Sequence, residues 1–177
     1  MFFRKPTSAL ALGTVLAASV VVLGTALLSQ YVGGLQPCIL CLYQRVPYGV
    51  VIVLTALVLA WEFYGNSLAP GVARGTLLVS AWVFFAGACI AGFHVGVEQG
   101  WWQGTDGCAG PDLNALSLEE LKQQLLASPV VRCDEVAWSL FGISMAGYNL
   151  MVSILLAGIC IWFAASFGRH RGRIFAA

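Results

Sequence analysis

Charge is what this chain has least of. Only 10% of its 177 residues are charged against 59% hydrophobic, far too few charges to cover the surface of a soluble domain. The formal net charge is +1, so no basic excess exists for a nucleic-acid partner, and none is expected. No internal repeat or low-complexity tract stands out, and nothing points to a repeat array. What remains is a membrane protein.

The few charges leave four long gaps. No charged side chain occurs between Lys5 and Arg45, between Arg45 and Glu62, between Arg74 and Glu98, or between Glu135 and Arg169. Crossing the hydrocarbon core takes roughly 20 apolar residues in a helix. The gaps therefore predict spans near Ala9 to Leu28, Leu42 to Trp61, Leu77 to Val97 and Met145 to Phe167. The expected fold is an all-α membrane protein: a four-transmembrane-helix bundle, with residues 1–177 as one membrane domain. A long outer loop over 98–144 carries a short amphipathic helix.

Basic residues in short loops mark the cytoplasmic side. Arg4 and Lys5 precede the first span, Arg74 lies between the second and third, and Arg169, Arg171 and Arg173 follow the fourth. Both termini are thus expected in the cytoplasm, which puts Cys38, Cys41, Cys108 and Cys133 on the other side. In a bacterium that side is oxidising, and disulfides persist there. Met1 to Leu28 has the outline of a signal peptide, but its apolar run is long for one. Its loss would also leave an odd number of spans, so it is expected to stay as a span.

The stretch Pro37-Cys38-Ile39-Leu40-Cys41-Leu42-Tyr43-Gln44-Arg45 opens the second span. Pro37 suits the first helical position, and Cys38, Cys41 and Arg45 then share one helical face. Backbone N–H groups at a helix N-terminus, the helix dipole and a cation one turn on all favour a thiolate. Cys41, a single turn from Arg45, is expected to ionise more readily than a free cysteine. Arg45 is drawn into or just beneath the membrane interface, at a depth where a partner or ligand is expected. Pro47 inside the span is expected to kink it.

His94 lies near the outer end of the third span, at a depth where an ionisable group is a functional candidate. Cys89 and Cys160 sit in apolar runs and are read as small packing residues. In the outer loop, Trp101 and Trp102 suit a membrane interface. Ser117-Leu118-Glu119-Glu120 is a capping-box pattern that starts the short helix, with Leu118, Leu121, Leu125 and Leu126 on one face. Cys108 and Cys133, 25 positions apart, bracket this helix. CxxC is shared by zinc sites and thiol oxidoreductases. The spacing of the second pair and the compartment disfavour zinc, so no metal is expected. A thiolate at that depth is out of reach of a soluble carrier but open to a membrane-dissolved quinone.

The stretch from Pro37 to Arg45 with Val46-Pro47-Tyr48, together with Trp138-Ser139-Leu140-Phe141-Gly142-Ile143-Ser144-Met145-Ala146-Gly147-Tyr148-Asn149, resembles the DsbB family of disulfide bond formation proteins. The resemblance covers essentially the whole chain. It implies a protein-disulfide (dithiol):quinone oxidoreductase of the bacterial inner membrane that reoxidises a periplasmic thioredoxin-like oxidase of the DsbA type. The partner's thiolate would attack Cys108 of a Cys108 to Cys133 disulfide. Freed Cys133 would then attack Cys38 of a Cys38 to Cys41 disulfide, and Cys41 would give its electrons to a quinone, ubiquinone or menaquinone. Arg45 matches the family arginine that supports the quinone and thiolate. His94 matches a histidine near the quinone, and Gln44 stands where relatives carry Gln or Glu. The oxidising DsbA–DsbB–quinone relay is itself a standard illustration of how the periplasm is kept oxidising. Two other readings compete: a vitamin K epoxide reductase-like quinone enzyme, disfavoured because its CxxC sits late in the chain, and a non-catalytic scaffold or transporter subunit with stapled loops.

Overall fold

The computed structural model describes residues 7–64, 69–105, 108 and 131–168. Four long helices account for most of them: α1 Ser8–Tyr31, α2 Ile39–Phe63, α3 Pro70–Glu98 and α4 Met145–Gly168. All four are long and apolar enough to cross a membrane, and the chain is a multi-pass membrane protein with the expected four-helix architecture. Each helix begins earlier or ends later than the apolar gaps alone suggest, because capping groups set the ends. Thr7 caps α1 by accepting the Leu10 N–H, Cys38 caps α2, and α3 starts on a proline.

Outward-facing side chains are apolar, as a lipid environment allows; Val21, Val53, Trp82 and Leu155 are examples. The buried seam is built from Leu12 and Val15 of α1, Tyr48 and Val51 of α2, Leu77 and Phe84 of α3, and Cys160 and Phe163 of α4. Small residues on α3, including Ala73, Ala81, Ala88 and Ala91, are also buried. They bring neighbouring backbones close, which is how helices gain packing energy where lipid is as apolar as leucine. Buried hydroxyls are satisfied within their own helices: Ser19 donates to the Val15 carbonyl, Thr55 to Val51 and Ser80 to Thr76. A lone hydroxyl in hydrocarbon would be costly.

The α2 helix runs unbroken through Pro47, whose ring packs on α3 at Gly87. A Cβ there would lie 3.1 Å from Pro47 Cγ, so glycine permits the approach. Cys160 is a packing residue, fully buried in the seam. Cys89 is not: it lies exposed on the outer face of α3.

Before α4 the chain forms a two-stranded hairpin, β1 Ser139–Leu140 against β2 Ile143–Ser144. Phe141 (φ 52°) and Gly142 (φ 78°) both adopt left-handed backbone at the turn, the geometry that matches the twist of a two-residue hairpin. The sequence predicts for the outer loop a short helix and no strand; an alternation of two residues per strand is too short to read. The expected helix around Ser117 to Leu126 lies outside the described residues.

Candidate functional site

The site forms at the bundle end where α2 begins and α3 ends. Cys38 is the N-cap of α2, and its Sγ accepts the Cys41 N–H at 3.4 Å. Pro37 therefore precedes the cap instead of occupying the first helical position. Cys38 is buried and Cys41 half-buried, their sulfurs 3.2 Å apart and unbonded. Three groups converge on the Cys38 sulfur: the Cys41 thiol at 3.2 Å, the Cys41 N–H, which donates to it, and His94 Nε2 at 3.6 Å. Its thiol is lowered from 9.0 to about 4, first by the hydrogen bond from Cys41 and then by His94, against the opposing effect of burial. The sequence placed this favour on Cys41 because Arg45 follows it. In the structure the Arg45 guanidinium is bound elsewhere, donating to Gln30 Oε1 and to the Ala26 carbonyl of α1.

Cys108 and Cys133 form a disulfide, with Cα atoms 4.9 Å apart. Both are buried and pack with Cys38, Leu40 and Val97 in one cluster. Gly104 makes room, since a Cβ there would lie 2.5 Å from Cys108 Cβ. Cys38 Sγ, His94 Nε2 and Cys133 Sγ all lie within 4.8 Å of one another. That spacing suits thiol–disulfide exchange between the two pairs with side-chain movement alone. It also approaches the reach of a metal-ligand set, but the Cys133 sulfur is already bonded to Cys108.

Beneath the sulfurs runs a buried polar chain. Gln44 Nε2 lies 2.7 Å from His94 Nδ1, Asn149 Nδ2 donates to Gln44 Oε1 at 2.6 Å, and the Tyr48 hydroxyl donates to Asn149 Oδ1. Ser153 Oγ lies 2.9 Å from the same hydroxyl. One turn beyond His94, Glu98 Oε1 comes within 3.9 Å of Nε2. Glu98 also accepts from Ser144, whose oxygen in turn accepts the Gly147 N–H and caps α4. Trp102 folds back over Gly96 to stack on Phe93, with ring centroids 5.7 Å apart, and donates to the Phe93 carbonyl.

Of the seven residues singled out from sequence, Cys38, Cys41, Gln44, His94, Cys108 and Cys133 lie around one centre. Arg45 faces α1 instead. Just below it on α2, an open apolar groove of about 600 Å³ is lined by Val46, Gly49, Val50, Val53, Leu54 and Leu57. Sequence reasoning missed Glu98, Asn149 and Gln30 as site residues. The i, i+4 spacing of His94 and Glu98 was a usable signal; nothing local pointed to Gln30.

Four spanning helices with two cysteine pairs packed at one end define a membrane thiol-redox protein. The family model described as "Disulfide bond formation protein DsbB" matches residues 8–163, and the chain belongs to that family. Among similar proteins are Disulfide bond formation protein B 2 of Pseudomonas entomophila, 36% identical over 88% of this chain and 90% of the relative, and Disulfide bond formation protein B of Aromatoleum aromaticum, 33% identical over 96% and 98%. The Acinetobacter baumannii protein of the same name is 28% identical over 85% and 86%. No solved structure matches. Family membership establishes a role in disulfide bond formation.

Proposed function

We propose that this protein is a dithiol:quinone oxidoreductase of the bacterial inner membrane, reoxidising a periplasmic thioredoxin-like oxidase of the DsbA type. The observation that carries the reading is the packing of both cysteine pairs in one buried cluster at the start of α2, beside a lipid-facing groove. Both termini are cytoplasmic and the cysteine end is periplasmic, in keeping with the basic residues near the termini and Arg74.

The partner's thiolate attacks Cys108, forming a mixed disulfide and expelling Cys133 as a thiolate. Cys133 attacks Cys38 of an oxidised Cys38–Cys41 pair, forming a Cys38–Cys133 bond, and the electron pair of the broken bond leaves on Cys41. Each exchange conserves one disulfide. When bound, a quinone supplies the two-electron acceptor that carries these electrons away. The residues fit such a group: the half-buried Arg45 cation stands above an apolar groove suited to an isoprenoid tail. Arg45 would hold a polar group of such a cofactor at the head of the groove, while His94, held by Gln44, lies beside the sulfur pair.

The test is anaerobic. Wild type, given a reduced DsbA-type oxidase and ubiquinone or menaquinone, bleaches the quinone absorbance. Cys41→Ser abolishes this and Arg45→Ala slows it. Wild type that leaves the quinone oxidised, its disulfides intact, would overturn the reading in favour of a stapled scaffold.

A further inference from the structure

The two sequence motifs meet in the buried chain beneath the cysteines. Gln44 and Tyr48 come from the first motif, one turn apart on α2; Asn149 comes from the second, on α4. Tyr48, Gln44, His94 and Ser153 are all at most 6% exposed, so bulk water does not compete for their polar atoms.

We propose that Tyr48, Asn149 and Gln44 are positioning residues that lock His94 as its Nε2–H tautomer, keeping that N–H on the Cys38 sulfur. At the Nε2 end, Cys38 Sγ lies 3.6 Å away and Glu98 Oε1 3.9 Å away, both electron-rich. A bare ring nitrogen there would face two acceptors, so the proton belongs on Nε2. The Nδ1 of a neutral ring must then accept, and Gln44 meets it with its amide NH2 at 2.7 Å. That orientation leaves Gln44 Oε1 as an acceptor for Asn149 Nδ2, and turns Asn149 Oδ1 toward the Tyr48 hydroxyl, which donates.

The titratable groups facing His94 among the described residues are Cys38 and Cys41 of α2, Glu98 of its own helix and Cys133, held in its disulfide. From α4 the chain receives only neutral Asn149 and Ser153. The consequence rests on the proposed relay. Whenever an incoming thiolate forms a new disulfide with the sulfur bonded to Cys38, the old bond breaks and its electron pair goes to Cys38 Sγ. Nε2–H is already aimed at that charge.

The chain carries two histidines, His94 and His170, so ¹⁵N-histidine labelling of the full-length reduced protein in detergent, with His170→Gln to remove the second signal, reads the tautomer directly. The expected spectrum at pH 7 shows Nε2 protonated and Nδ1 bare. A protonated Nδ1 in the wild type, as the other tautomer or as imidazolium, overturns the proposal without any variant. In Asn149→Leu a second tautomer is expected, and the pH midpoint of Cys38 alkylation rises by about one pH unit, the loss of part of a hydrogen bond to a charged sulfur. Tyr48→Phe, which removes one hydroxyl, shifts both readouts the same way and less. A fall in Cys38 reactivity with the tautomer unchanged makes these residues merely structural and also overturns the proposal. Quinone reduction on the same wild-type preparation separates the two claims, because the tautomer is read without turnover.

Discussion

Replacing Cys41 with alanine removes the largest stabilisation of the Cys38 thiolate while leaving the α2 N-terminus intact. The Cys41 N–H still points at Cys38 Sγ from 3.4 Å, and His94 Nε2 is still 3.6 Å away. What disappears is the thiol donor 3.2 Å from the sulfur. A hydrogen bond to a charged group contributes about 1.5–3 kcal/mol, and one pH unit corresponds to about 1.4 kcal/mol. The Cys38 midpoint, about 4 in the wild type, is therefore expected to rise by about one to two pH units. His94→Ala raises it by less, because its contact is longer. The assay is alkylation of the fully reduced protein by iodoacetamide across pH 3 to 10, with Cys38 followed by peptide mass spectrometry and each profile normalised to its plateau. The sign is fixed: Cys38 is an acid whose folded value lies below its ordinary 9.0. Its contribution to stability of the reduced fold is complete above pH 9, declines as pH falls, and is gone below about 4. A wild-type profile that falls away between pH 9 and 8, as for an ordinary thiol, would refute the reasoning.

Gly96→Ala places a Cβ 2.0 Å from Trp102 Cζ2, so Trp102 must leave its stack on Phe93; a loss of about 1–3 kcal/mol and a red-shifted tryptophan emission are expected in thermal unfolding monitored by fluorescence. The double variant Cys41→Ser, Cys108→Ser leaves Cys38 and Cys133 with sulfurs within 4.8 Å, and mild oxidation should join them quantitatively; mass spectrometry showing both free would contradict the packing. Removing the Cys108–Cys133 bond by Cys133→Ser opens a loop with a sequence separation of 25, at an expected cost of about 3 kcal/mol by chain entropy, read as a lower unfolding midpoint. Gln30→Ala frees the Arg45 guanidinium from its α1 partner, and a higher KM for quinone with little change in kcat is expected.

The four spans were legible because the charges of this chain leave long apolar gaps, and ionisable groups inside a span are rare because hydrocarbon makes them costly. The CxxC was legible for its spacing, and the pairing of Cys108 with Cys133 through resemblance. Direction was harder to read. Arg45 and Cys41 share a helical face, yet a long side chain can reach sideways to Gln30, and only the packing of α1 against α2 decides that. Cys38 is favoured as the thiolate because the Cys41 thiol and then His94 meet its sulfur, and the contact with His94 depends on how α3 packs against α2, which the motif's spacing does not encode. Asn149 stands within the second motif but carries no signal of its own, since its partners Gln44 and Tyr48 lie 105 and 101 positions away. Glu98 was assigned to the loop, where an acid is unremarkable; it is the last residue of α3 and its side chain is 6% exposed.

The most direct test of the relay is an electron count. Oxidised protein in detergent, with a limiting amount of reduced DsbA-type oxidase and excess quinone under argon, should yield one quinol for each partner dithiol oxidised, with the Cys108–Cys133 disulfide restored at the end. Partner oxidation that stops at the protein's own disulfides, with no quinol formed, would contradict the account.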